Sequence, residues 1–156
     1  MGKAELAQSI GRIVMRWQDA TQAYDEAVGE IAGLNNAERR CLSFLYQGPR
    51  TAGAIAEATG LTPAAITALV DRLEARGYLR RTRSEEDRRK VLVELGPAAV
   101  ELTARYYEPL GREGETTLMR FTEKELDVLL RCLADVVELQ ERYLTRLQDS
   151  EARQPG

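Results

Sequence analysis

A chain of 156 residues, 44% apolar and 30% charged, is long enough for one domain with its own core and too apolar to be disordered. No apolar run approaches the roughly 20 residues of a membrane span, and Met1 to Ile10 lacks the basic start and apolar block of a secretion signal, so a cytoplasmic location is expected. The absence of histidine, of a glycine-rich phosphate loop and of a nucleophile beside a recognisable base argues against an enzyme, and no cofactor or metal is expected.

Residues 4–32 read as one long helix. Leu6, Ile10, Ile13, Trp17, Ala20, Tyr24, Ala27 and Ile31 recur at alternating steps of four and three, a seam that asks for a partner helix, although packing on its own domain would give the same period. Asn35 and Glu38 have capping-box spacing for a second helix, which buries Cys41, Leu42 and Leu45 and stops at Gly48-Pro49. Thr51 caps a short third helix, Ala52 to Thr59.

The stretch from Leu61 to Leu95 organises the rest. Thr62 is a good N-cap and Pro63 occupies the first helical position, where its missing N–H costs nothing. Ile66, Leu69, Val70 and Leu73 form an apolar face; Ala64, Ala65, Thr67, Ala68, Asp71 and Arg72 lie opposite, mostly small groups that permit close approach to another surface. Ala56, Gly60, Ile66 and Leu69 fall at i, i+4, i+10 and i+13. These are the places where a helix-turn-helix needs a small crossing residue, a glycine in the turn and an apolar inner face. Gly77 ends the helix, and Tyr78 to Thr82 and Val91 to Leu95 have strand character around a polar tip.

Charge is unevenly spread. Residues 76–90 hold seven basic side chains (Arg76, Arg80, Arg81, Arg83, Arg88, Arg89, Lys90) against three acidic ones (Glu85, Glu86, Asp87). The stretch therefore carries +4 and the remainder −7 of the net −3. A basic patch on a mildly acidic body suits a protein that touches DNA with one face.

Gly96-Pro97 opens a further helix, running to about Leu118 and expected to kink at Pro109 and Gly111. Thr122 and Glu125 form a capping box for the last helix, with Phe121 and Leu126 as a hydrophobic staple. Its seam of Leu126, Leu130, Leu133, Val137, Gln140, Leu144 and Leu147 is widened by Leu129, Val136 and Tyr143. Residues 149–156 read as a flexible tail. The expected fold is mainly α with a small β-hairpin: a winged helix-turn-helix at 33–96 within a single domain, with 4–32 and 97–148 as dimerisation helices.

The chain resembles the MarR family (multiple antibiotic resistance regulators) of winged-helix transcription factors. The resemblance rests on LVDRLEARGYLRR and above all on the wing. There the family pattern Asp-x-Arg, three residues, Val-x-Leu-Thr reads Asp87-Arg88-Arg89-Lys90-Val91-Leu92-Val93-Glu94-Leu95-Gly96, matched except for Gly96 in place of the capping Thr. Glycine caps only slightly worse, so that departure is expected to leave the wing intact. The resemblance implies a homodimer on a pseudo-palindromic double-stranded operator, usually a repressor, often released by a small phenolic or aromatic acid effector; other members respond to cysteine oxidation.

Arg89 is then the candidate for the minor groove, where narrow A·T-rich DNA rewards a guanidinium, with Asp87 as its orienting partner. Arg83, Arg88 and Lys90 add contacts of low sequence preference. Thr62, Pro63, Ala64, Ala65, Thr67 and Ala68 offer hydroxyls and methyls for modest direct readout, and Arg72 could reach a base or a phosphate. Arg16, Trp17, Tyr24, Tyr46 and Tyr106 (beside Tyr107) are the candidate effector pocket. Cys41 and Cys132 fall at helical apolar positions and read as buried and inert rather than as an oxidation sensor. A winged-helix protein-interaction module is the alternative from another class.

Overall fold

The computed structural model describes residues 2–84, 87 and 89–152. Its elements are α1 (Lys3–Ala32), α2 (Asn36–Leu45), α3 (Ala52–Thr59), α4 (Pro63–Ala75), β1 (Leu79–Arg83), β2 (Val91–Leu95), α5 (Pro97–Leu102), a π-helical turn (Thr103–Tyr107), α6 (Glu108–Leu118) and α7 (Glu123–Ala152). The backbone divides into two compact units, one ending at Pro109 and one beginning at Leu110.

The helix starts follow from local chemistry. Asn35 Oδ1 accepts the Glu38 N–H at 3.0 Å while a Glu38 carboxylate oxygen accepts the Asn35 N–H at 2.9 Å, a complete capping box. Thr51 Oγ1 accepts the Ala54 N–H and Thr62 Oγ1 the Ala65 N–H, each satisfying an orphan donor of its helix. Gly60, at φ +69°, makes the left-handed turn between α3 and α4 that the helix-turn-helix spacing required.

One core serves the first unit. Leu34, Cys41, Leu45, Ile55, Ile66, Leu69, Val70, Leu73, Leu79 and Val93 are buried against one another, so α2, α3, α4 and the hairpin close around a shared centre. The hairpin is antiparallel with Leu79 opposite Leu95 and Arg83 opposite Val91. Arg50 adds a third short edge by pairing with Val93, N–H to O at 3.0 and 2.7 Å in the two directions. Of the alternating residues of β2, Val93 is buried and Leu95 partly so, whereas Val91, out toward the tip, is exposed.

Several expectations are corrected. The distortion foreseen at Pro109 and Gly111 falls one turn earlier, in the π-helical turn 103–107, where Glu108 N–H reaches back to the Thr103 carbonyl. A proline's missing N–H and ring act on the turn preceding it, so that displacement is physical. Helix α7 continues to Ala152, past the start expected for a tail at 149, and residues 153–156 of that expected tail lie outside the described residues. Cys41 is buried as expected, but Cys132, among the exposed apolar residues of α7, is exposed.

The second unit keeps its predicted start: Thr122 N–H and hydroxyl both donate to Glu125 at 2.8 Å, holding that carboxyl below its usual range. Among the described residues no single helix is long and apolar enough to cross a membrane.

Candidate nucleic-acid interface

Helix α4 presents two opposed faces. Ile66, Leu69, Val70 and Leu73 are buried in the core, which forces Thr62, Pro63, Ala64, Ala65, Thr67 and Ala68 outward, and all six are exposed. The hydroxyls are partly committed: Thr62 Oγ1 accepts the capping bond and the Thr67 hydroxyl donates to the Pro63 carbonyl at 3.0 Å. Each threonine has spent one of its three hydrogen-bonding positions, Thr67 its single donor, so the helix offers methyls more than polar readout.

The basic run is sorted by the fold into occupied and available cations. Arg80 pairs with Glu94 across the hairpin at 2.7 Å. Arg81 is clamped between Asp71 and Glu74 of α4, and its pKa rises, chiefly through the Asp71 hydrogen bond. Arg76 donates to the carbonyls of Ala32 at 2.6 Å and Gly33 at 3.0 Å. Arg83, Arg89 and Lys90 are exposed and have no acidic partner among the described residues. Arg88 lies outside the described residues. The formal surplus read from sequence therefore overstates what reaches outward, but the available cations gather at the wing tip.

Asp87 orients Arg89 through the backbone. Its Oδ1 accepts the Arg89 N–H at 3.0 Å, its carbonyl accepts the Lys90 N–H at 2.8 Å, and its own N–H donates to Ser84 Oγ at 3.3 Å. An Asx turn of this kind holds the tip shape through backbone bonds, and the Arg89 side chain has no acidic partner among the described residues.

Arg72 is placed differently from the other candidate DNA contacts. Its Nε donates to Glu38 Oε1 at 2.8 Å, and Glu38 is buried. Burial alone would raise the Glu38 pKa. The Arg72 hydrogen bond, the Asn35 backbone bond and the charges of Arg72 and Arg76 outweigh it, and the carboxyl sits below its usual range.

A cavity of about 1090 Å³ opens beside α1, α2 and α5, with Trp17, Asp25, Arg39, Tyr46, Leu102 and Tyr107 in its wall. Of the candidate effector residues, Trp17 and Tyr46 line it. Arg16, Tyr24 and Tyr106 do not. Arg16 points to solvent, and the Tyr24 hydroxyl donates to the Tyr106 carbonyl at 2.6 Å while its ring packs edge-on against Tyr107. Tyr107, named beside Tyr106, also lines the cavity, and Asp25 and Arg39 are lining residues that the sequence did not single out. Burial, then the bond its hydroxyl donates to Asp25 at 2.9 Å, pushes Tyr107 up to about 12, so it remains a donor. Arg39 Nε is buried without a partner. Asp25 and Arg39 carried no periodic signal.

An exposed, small-residue helix face beside unpaired cations on a β-hairpin defines a winged-helix DNA-binding protein. Residues 32–90 match the model of the MarR family. The chain is similar along nearly its whole length to the uncharacterized HTH-type transcriptional regulator YcgE of Bacillus subtilis, 28% identical over 147 residues, 94% of this chain and 96% of that one. It is also similar to the transcriptional regulator BldR from Sulfolobus solfataricus, with 26% identity and a TM-score of 0.52 over 94% and 99% of the two chains. It shares its fold with the transcriptional regulator Tm0710 from Thermotoga maritima, at 24% identity and a TM-score of 0.60 over 88% and 98%. The matched segment, residues 32–90, is thus similar to the MarR family of DNA-binding transcriptional regulators.

Proposed function

We propose that this regulator acts in the cytoplasm as a homodimeric repressor on a pseudo-palindromic operator and is released by a small acidic aromatic effector. The observation that carries the reading is the convergence on one lobe of the exposed α4 face and the unpaired Arg83, Arg89 and Lys90. In this reading Thr62 to Ala65, Thr67 and Ala68 enter the major groove. Arg89 enters the adjoining minor groove, and Arg83, Arg88 and Lys90 neutralise phosphates. Most discrimination comes from DNA shape and half-site spacing, because α4 offers so few polar groups.

The exposed seams on α1 and α7 support a second copy as the dimer partner, which would set the two reading heads about one DNA turn apart. Trp17 and Tyr46 supply aromatic walls to an effector in the cavity, and Arg39, whose buried Nε has no hydrogen-bond partner among the described residues, is better suited than Arg16 to its acid group.

Fluorescence anisotropy with the DNA upstream of the protein's own gene, across a salt series, tests the reading. Wild type is expected to bind tightly against competitor DNA with a steep salt dependence, and Arg89→Ala to lose about tenfold or more, within the 1–3 kcal/mol of a good groove contact. Weak binding, equal for every DNA and indifferent to Arg89, would favour a winged-helix protein-interaction module.

A further inference from the structure

Glu38 is only 3% exposed, yet it is a carboxylate in contact with two cations, Arg72 of α4 and Arg76 at its C-cap. Its Oε1 accepts from Arg72 Nε at 2.8 Å; its Oε2 accepts the Asn35 N–H at 2.9 Å and lies 4.0 Å from Arg76 Nη1. Arg76 in turn holds the Ala32 and Gly33 carbonyls at the end of α1. Three segments thus meet at one buried charge: the end of α1, the start of α2 and the second half of α4.

The helix cap does not require that charge. A glutamine serves a capping box as well as a glutamate, because only a carbonyl-type acceptor is needed. Burying an ionised carboxylate is unfavourable unless charged partners repay it, and here the partners are Arg72 of α4 and Arg76 at its C-cap, one helical turn apart. Arg72 continues the exposed line of Ala64 and Ala68 along α4, the face that would approach DNA, while its Nε is committed to Glu38.

We propose that Glu38 is a positioning residue for DNA recognition, holding α4 at a fixed pitch against the end of α1 through Arg72 and Arg76, and that Arg72 serves this clamp instead of contacting DNA. The clamp rests on the DNA-binding role of α4 and is independent of the effector.

The two roles open to Arg72 make opposite forecasts for Glu38→Gln, which keeps the cap and removes the charge. If Arg72 is a clamp, specific affinity falls about tenfold, while non-specific binding and the salt slope stay as in wild type. If Arg72 contacts phosphate, releasing it strengthens binding and steepens the salt slope by about 0.9. Arg72→Gln should match Glu38→Gln, the double variant should be no worse than either, and Arg72→Lys should recover most of the loss, since a lysine can still pair with the carboxylate.

The DNA is the fragment that wild type selects from a random duplex pool, and circular dichroism verifies each variant's fold at the assay temperature. Should Glu38→Gln not fold, Arg72→Gln decides alone: a shallower salt slope overturns the clamp, and lost specificity at unchanged slope supports it. If wild type selects no sequence from the pool, the DNA-binding reading itself fails, an outcome separate from any result on Glu38.

Discussion

Helices α4 and α7 are written in the same amphipathic grammar and end in opposite states. The stripe of α4, Ile66, Leu69, Val70 and Leu73, is fully buried, whereas Leu130, Val137, Leu144 and Leu147 of α7 are each more than half exposed. Periodicity states that a helix has a face to bury; it does not state that the burying surface lies in the same chain. Each large aliphatic side chain left in water forgoes roughly 1.5–3 kcal/mol, and contiguous exposed apolar patches mark interaction surfaces. The winged-helix body closes its own core. The α7 seam, and the exposed Leu6, Ile10, Ile13 and Trp17 on α1, are what the proposed homodimer would cover.

A pair of substitutions breaks or sharpens this contrast. Leu73→Ala removes a fully buried side chain and is expected to lower unfolding stability by about 2–5 kcal/mol. That loss would be found by chemical denaturation and would be the same at every protein concentration. Leu130→Glu with Leu144→Glu places two carboxylates on the exposed seam and leaves the winged-helix core untouched. Sedimentation should show the mass falling to one chain, with specific DNA affinity weakened at least tenfold as the second reading head is lost. A double variant that keeps the wild-type mass would remove α7 from the interface.

How much of this was legible in the sequence follows from the range of the forces involved. The caps at Asn35, Thr51, Thr62 and Thr122 act over three residues and could be read directly, as could the turn at Gly60 and both strands to within a residue. What could not be read is pairing across the fold. Glu38 and Arg72 are 34 residues apart, and Arg76 is 44 from the Ala32 carbonyl that it holds. A run of arginines does not say which are spoken for: Arg80 and Arg81 look as available in sequence as Arg83 and Arg89. The cavity beside α1 and α2 shows the same limit. Aromatic composition pointed to Trp17 and Tyr46, but Asp25 and Arg39 join them only through the packing of α1 on α2.

Gly96 tests the winged-helix side of the contrast at intermediate size. Its place in the wing pattern suggests a harmless exchange for threonine, on capping grounds alone. A Cβ there would stand 2.4 Å from the Gly77 carbonyl oxygen and 3.1 Å from the Leu79 nitrogen, both backbone atoms. The base of the hairpin is closed around this position by Gly96 N–H to Tyr78 O at 2.8 Å and Ala98 N–H to Gly77 O at 3.0 Å, so it has little room to yield. Gly96→Thr is therefore expected to destabilise by about 1–3 kcal/mol, the range of overpacking, despite restoring a better cap. An unfolding midpoint at or above wild type would show that the hairpin base relaxes freely.

The smallest effect is on stability, where none is expected, but it probes both regions at once. Cys41 lies at the centre of the winged-helix core and burial pushes its thiol up to about 11; Cys132 is exposed beside Val136 and Leu139 on α7. A thiol reacts as its thiolate, so at pH 8 the native protein should take up one iodoacetamide at Cys132 and a second, at Cys41, only in denaturant. Rapid native alkylation of Cys41 would contradict the closed core. The dependence on concentration carries the rest of the argument. Protection of Cys41 belongs to the single chain and should not change on dilution. If a second copy covers the side of α7 that bears Cys132, its labelling should slow as protein concentration rises through the dimerisation range. A rate that stays constant across that range would confine the interface to the stripe of Leu130, Val137, Leu144 and Leu147.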